Sequence, residues 1–120
     1  MVDLYQQNII DHFKNPENYG VLEDAEIVRA EYNPLCGDKI TVYMKFDKEI
    51  LAEILFEGSG CAISQAAMSM LSEEIKGKSK PEILSITKDD IVEMLGIDIG
   101  PTRLKCALLG WQAVRNAIGN

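Results

Sequence analysis

Two stretches of alternating apolar and polar residues, joined by a short polar turn, constrain the fold of this chain more than any other feature. The first is KITVYMKF, residues 39–46, and the second covers residues 50–56. A period of two is typical of strands that bury one side, so the pair predicts an antiparallel hairpin. A weaker strand near residues 25–32 completes a predicted three-stranded antiparallel sheet. The predicted buried face consists of Ile40, Val42, Met44, Phe46, Ile50, Ala52, Ile54 and Phe56.

An N-terminal helix precedes this sheet. Tyr5, Ile9 and Phe13 are spaced four apart, which places them on one helix face. Pro16 and Gly20 then end the helix.

Helical periodicity returns after the sheet. One helix runs to Gly77. Two short helices are capped by Ser79 and Thr87, each of which precedes an acidic residue by three positions. A last helix begins near Pro101. The expected fold is α+β, with an N-terminal helix, a three-stranded antiparallel sheet and C-terminal helices packed on one face. The two apolar stripes are Ile63, Ala66, Ala67, Met70, Leu71 and Ile75, and Leu104, Ala107, Leu108, Trp111, Val114 and Ile118.

Composition limits the function. With 120 residues, 47% of them hydrophobic, the chain is expected to form a single domain over residues 1–120. A formal net charge of −7 argues against nucleic-acid binding, which requires a basic surface. The sequence contains no apolar run of membrane-spanning length and no export signal at its start, so we expect no membrane association and a cytoplasmic location.

The three cysteines occupy boundaries between predicted elements. Cys36 lies in the turn that enters the second strand, Cys61 opens a helix, and Cys106 lies in the first turns of the last helix. In a reducing compartment an odd number of cysteines is not a disulfide framework. The amino terminus of a helix favours a thiolate over a thiol, so these positions suit reactive or metal-binding sulfur.

An aspartate and three glycines accompany the cysteines. Gly37 permits a sharp turn that lets Cys36 and Asp38 converge, and Gly58 and Gly60 permit close approach of the backbone. If the element ends meet, three sulfurs and one carboxylate bind zinc tetrahedrally or hold iron. Asp38 is expected to be the most exchangeable ligand because oxygen is a harder donor than thiolate. A purely structural zinc site stays open as an alternative.

Other cysteine chemistries fit less well. The sequence has no C-x-x-C pair, which argues against a zinc finger and a thioredoxin-like redox motif. His12 is the sole histidine and belongs to a different helix from every cysteine, which argues against a Cys–His hydrolase.

Four segments, IIDHFKNPENYG, NPLCGD, EGSGCAISQA and RLKCALLGWQAV, resemble in order the landmarks of the U-type iron–sulfur cluster assembly scaffolds. This family includes IscU, SufU and the amino-terminal domain of NifU, and the resemblance covers nearly the whole chain. It implies a SufE/IscU-like fold. It also implies that Cys36, Asp38, Cys61 and Cys106 are the ligands of a transient [2Fe-2S] cluster or of Zn²⁺.

The resemblance further implies partners. A family member accepts persulfide sulfur from a cysteine desulfurase of the IscS, SufS or NifS type and takes iron from an iron donor. It then passes the assembled cluster to apo iron–sulfur proteins. It is a scaffold or carrier, not an enzyme, and a monomer or weak homo-oligomer.

The branch within the family is less sharply indicated. Lys105 stands where IscU scaffolds usually carry histidine, and it resembles the SufU branch, in which bound zinc supports sulfur acceptance. The chain nevertheless lacks the SufU insertion between the second and third cysteines. IGPTRLK replaces the chaperone motif of many IscU proteins, so a dedicated chaperone is not expected. The alternative function is thus a zinc-dependent sulfurtransferase that stimulates a desulfurase, with Cys36 as persulfide acceptor and Lys105 as an auxiliary cation.

Overall fold

A computed structural model describes residues 4–34 and 37–119 of the chain. It contains an N-terminal helix, a three-stranded antiparallel sheet in the order β1-β2-β3 and C-terminal helices, so the predicted α+β fold is confirmed. The elements are α1 (Leu4–Lys14), β1 (Ile27–Asn33), β2 (Asp38–Asp47), β3 (Ile50–Ser59), α2 (Ala62–Ile75), α3 (Lys80–Leu84), α4 (Lys88–Leu95), α5 (Pro101–Ala107) and α6 (Leu109–Ile118).

The predicted buried face of β2 is correct, but that of β3 is wrong at its start. The register between the two strands shifts at Lys45 and Phe46, so Ala52 has no partner and forms a β-bulge. Because one extra residue reverses the alternation, Leu51 is fully buried and Ile50 is exposed. The sequence pattern gives no sign of the bulge.

Helix α2 lies at the centre of the molecule. It packs against α1 on one side and against β3 and α6 on the other. An unbroken run of residues, 63–72, is therefore buried, and it includes the polar residues Ser64, Gln65, Ser69 and Ser72. Since α6 packs on β1 and β2, the sheet is covered by helices on one face, as predicted.

The two short helices begin as predicted. Ser79 accepts the backbone N–H of Glu82 while the Glu82 carboxylate accepts the Ser79 N–H, and Thr87 and Asp90 form the same capping box. The hydrogen bonds from Ser79 hold the pKa of Glu82 below its ordinary value. The stabilisation from this carboxylate is thus present at neutral pH and is lost as pH falls through that depressed pKa.

The predicted last helix is two helices that meet at Leu108. A single straight helix turns about 100° per residue and cannot bury five consecutive residues on one side. The break lets residues 106–110 all face the interior. Trp111 is only partly buried, and its ring nitrogen donates to the Ile86 carbonyl at 2.9 Å.

The N-terminal helix contributes less to the core than its pattern indicates. Ile9 is buried, but Tyr5 and Phe13 remain substantially exposed. Within the described part of the chain, the structure contains no helix with the length and apolar character required to cross a bilayer.

Candidate metal centre

Asp38 is a buried carboxylate at the first position of β2. Its residue is 1% exposed, and it follows Gly37, whose positive φ of 74° provides the predicted turn. Oδ1 accepts the backbone N–H of Cys61 at 3.0 Å. The carboxylate is thereby aimed at the start of α2.

Cys61 is the N-cap residue of α2, as the sequence predicts. Its thiol donates to Asp38 Oδ2 at 3.4 Å, so backbone and side chain of Cys61 contact the two oxygens of one carboxylate. The residue is partly exposed and lies where β3 passes into the helix.

Cys106 lies elsewhere on its helix than predicted. It is the penultimate residue of α5, a helix of seven residues, and is buried. Its thiol points back along the helix to the Thr102 carbonyl at 3.8 Å. The argument from a helix amino terminus therefore holds for the position of Cys61 but fails for Cys106, which is at the carboxyl-terminal end of α5.

The structure brings these three residues together. One ligand atom from each of Asp38, Cys61 and Cys106 lies within 4.8 Å of the other two. We call this group the Cys/Asp centre. Zinc-bound sulfurs, at about 2.3 Å from the metal, lie roughly 3.8 Å apart in a tetrahedral site. A small inward shift of the side chains therefore suffices to hold a metal, and the donor set suits zinc or iron.

Two glycines make room for the centre. A Cβ on Gly60 would lie 2.0 Å from Asp38 Oδ1, and the φ of Gly60 is +134°. A Cβ on Gly58 would lie 2.5 Å from the Lys39 carbonyl oxygen. The sequence predicts close approach to a bound group, whereas in the structure these glycines accommodate the ligand side chain and the strand that carries it.

The other two predicted site residues are Cys36 and Lys105. Cys36 lies outside the described residues. Lys105 is exposed on α5 and lines an open groove of about 570 Å³ together with Lys88, Pro101 and Gln112. Across residues 4–34 and 37–119, Lys105 forms no ion pair.

His12 belongs to a second polar cluster. Its Nδ1 lies 2.7 Å from the Ser69 hydroxyl oxygen and its Nε2 lies 3.5 Å from the Glu73 carboxylate. The spacing is similar to that of a hydrolytic triad. However, Ser69 is completely buried and its oxygen accepts the Glu17 N–H at 2.8 Å, so a substrate cannot reach it. The cluster joins α1 and the following loop to α2.

We expect Ser69→Ala to lower the free energy of unfolding by about 1–3 kcal/mol, because the Glu17 N–H and His12 lose a buried partner. Urea unfolding of the metal-free protein measures this change. Ser85→Ala, which removes an exposed hydroxyl, is the matched control. Equal stability of the two variants would contradict the structural role of Ser69.

One residue beside the centre was missed at the level of sequence. Gln65 is buried in α2, and its side-chain nitrogen makes no hydrogen bond among the described residues. No distinctive signal was available, since the run 63–71 also contains the polar residues Ser64 and Ser69.

Comparison with known proteins agrees with this architecture. The chain is 40% identical over 132 residues to the zinc-dependent sulfurtransferase SufU of Bacillus subtilis (strain 168), covering 96% of this chain and 89% of that protein. It is also 40% identical over 115 residues to the iron-sulfur cluster assembly scaffold protein IscU 1 of Archaeoglobus fulgidus, with 96% and 74% covered.

A solved structure is similarly close. The putative iron-sulfur cluster assembly scaffold protein for the SUF system from Fervidobacterium islandicum AW-1 superposes with a TM-score of 0.81 at 32% identity, covering 93% of this chain and 94% of that one. The sequence profile described as the NifU-like N terminal domain matches residues 4–120. The chain therefore belongs to the NifU-like N-terminal domain family, as its motifs predict.

Proposed function

We propose that this protein is an iron–sulfur cluster assembly scaffold. It accepts sulfur from a cysteine desulfurase, binds iron and transfers the assembled cluster to apo-proteins. The observation that carries the proposal is the Cys/Asp centre, in which two sulfurs and a buried carboxylate lie within 4.8 Å. Membership of the family and the scaffold names of several relatives support it.

Each residue of the centre has a distinct role in this function. The sulfurs of Cys61 and Cys106 retain iron, and Cys36 is proposed as the third thiolate ligand and the acceptor of persulfide sulfur. Asp38 is the exchangeable ligand, since carboxylate oxygen is a harder donor than sulfur. The cluster is cargo, so a ligand that releases it easily is an advantage.

A second candidate is a zinc-dependent sulfurtransferase. The relative with that function in its name is 40% identical, and the match covers 96% of this chain. In this case zinc is held by the same four residues, Cys36 leaves the metal to accept persulfide sulfur, and Lys105 contributes a nearby positive charge.

The proposed partners follow from either function. They are a cysteine desulfurase of the IscS, SufS or NifS type, apo iron–sulfur proteins and, for a scaffold, an iron donor. We propose a cytoplasmic location and a monomer or weak homo-oligomer. The net charge of −7 gives no support for a nucleic-acid partner.

Anaerobic reconstitution separates the two functions. The zinc-free protein is mixed with ferrous iron, cysteine, a cysteine desulfurase and dithiothreitol, which reduces persulfide sulfur to sulfide. A scaffold is expected to gain visible absorption with bound iron and sulfide, and to transfer the cluster to apo-ferredoxin. Absence of a bound cluster, with desulfurase turnover that rises only after zinc is restored, would replace the scaffold by the sulfurtransferase. Cys36→Ser then tests the acceptor, since that rise must disappear in the variant.

A further inference from the structure

The side-chain amide of Gln65 is buried beside the Cys/Asp centre, and no described residue accepts a hydrogen bond from its nitrogen. Gln65 lies one turn after Cys61 in α2, and its backbone N–H donates to the Cys61 carbonyl at 3.3 Å. The residue is 6% exposed, and Nε2 has no hydrogen-bond partner in the described segments 4–34 and 37–119. An amide in this state is unfavourable, because it gives up its hydrogen bonds to water.

The surrounding helix gives no packing reason for an amide. The neighbouring α2 residues Ile63, Ala66 and Ala67 are buried and apolar. Ser64 is buried too, but its hydroxyl donates to the Cys61 carbonyl at 3.0 Å. Methionine has a similar length and would fill the same space without an unsatisfied polar group. The glutamine therefore requires an explanation other than core packing.

The direction of the side chain supplies this explanation. Side chains on an α-helix lean towards its amino terminus, so Gln65 covers the turn that begins at Cys61. Its Nε2 lies 3.2 Å from the position of a Cβ on Gly58. Gly58 pairs with Ile40, which is two residues from Asp38 and on the same strand face. The unsatisfied N–H thus lies against the backbone that carries the centre.

We propose that Gln65 is a positioning residue whose amide N–H donates to an anionic sulfur of the loaded centre, a thiolate or a cluster sulfide. The inference rests on the proposed function. In the metal-free protein Cys61 is a thiol that donates to Asp38. On metal binding its proton passes to solvent, and the resulting thiolate becomes an acceptor. The donor is buried in advance and gains its partner only on loading.

Such a donor has two measurable effects. Hydrogen bonds to metal-bound ligands raise affinity, and their loss typically reduces metal affinity by about 10–100-fold. Hydrogen bonds to sulfur also lower the energy of its lone pairs and so move sulfur-to-metal charge-transfer bands to shorter wavelength. A residue that only fills space affects neither quantity.

In the test, the wild-type protein, Gln65→Met and a second variant, Gln65→Leu, are each loaded with Co²⁺ and compared. We expect Co²⁺ affinity to fall at least about tenfold and the thiolate-to-cobalt band to move to longer wavelength. The metal-free melting temperature should stay equal or rise, because the unsatisfied amide is gone. Met68→Leu, a volume-conserving change in the same buried helix, is the control and should leave the affinity and the band unchanged.

The cluster-loaded forms identify the acceptor. A change in the cobalt protein assigns a cysteine thiolate, and a faster loss of cluster without a change in the cobalt protein assigns a sulfide. If the variants bind Co²⁺ and retain the cluster as the wild-type protein does, the inference is wrong and the proposed function stands. If the wild-type protein itself shows neither thiolate-to-cobalt bands nor a cluster, the proposed function and this inference both fail.

Discussion

Asp38→Ala is expected to produce a scaffold that retains its cluster longer and transfers it to apo-ferredoxin at least about tenfold more slowly. The buried carboxylate is the one hard donor of the Cys/Asp centre, and its departure opens a coordination position to an incoming thiolate. Removing the carboxylate eliminates this entry point, so exchange of the cluster slows even though the centre has lost one ligand. Cluster decay and transfer are followed by visible absorption and circular dichroism.

The same substitution has a separate cost in the metal-free protein. The Cys61 N–H loses its acceptor, so the free energy of unfolding should fall by about 1–3 kcal/mol. Asp38→Asn is the matched control, because its side-chain oxygen still accepts this N–H while the charge is absent. It should recover stability but keep the slow transfer. An Asp38→Ala protein that loses its cluster faster than the wild type would refute the exchangeable-ligand role.

The local pattern of the sequence predicts the fold well where one period governs one element. The alternation of β2 and the stripe of α2 are correct, and the capping residues Ser79 and Thr87 start helices as expected. The pattern fails where a single residue interrupts the period. The bulge at Ala52 and the break at Leu108 both change which side chains face the interior, and a local pattern contains no information about the neighbouring elements that favour such a change.

The residues of the candidate site could be predicted from the sequence, but their arrangement in space could not. The sequence indicates Asp38, Cys61 and Cys106 because thiols and a carboxylate beside glycines at element ends are chemically unusual. Their meeting at one point depends on how α5 packs against α2, which periodicity does not describe. Gln65 was missed because a glutamine in a helix is ordinary in sequence. What distinguishes it is its burial without an acceptor in the part of the chain that the structure describes.

Gly60→Ala is expected to reduce the metal affinity of the centre by about 100-fold, the upper end of the range for disturbed ligand support. A Cβ at this position would lie 2.0 Å from Asp38 Oδ1 and 2.9 Å from the Asp38 Cα, so both the carboxylate and its strand must move. The start of β2 then shifts away from Cys61, whose N–H and thiol both donate to that carboxylate. Zn²⁺ or Co²⁺ competition with a chromophoric chelator measures the loss.

Gly77→Ala separates this displacement from backbone strain. Gly77 also has a positive φ, of 89°, but a Cβ there would meet no atom of the described residues within 4 Å. Gly77→Ala should lose about 1 kcal/mol of stability, because alanine is unfavourable at positive φ. Gly60→Ala should lose more, because its methyl group also displaces the acceptor of the Cys61 N–H. Only Gly60→Ala should lose metal, since only there does the new methyl group occupy the space of a ligand. Equal metal affinities in the two variants would mean that Asp38 does not contribute to the centre, and the ligand set would then have to be built from sulfur alone.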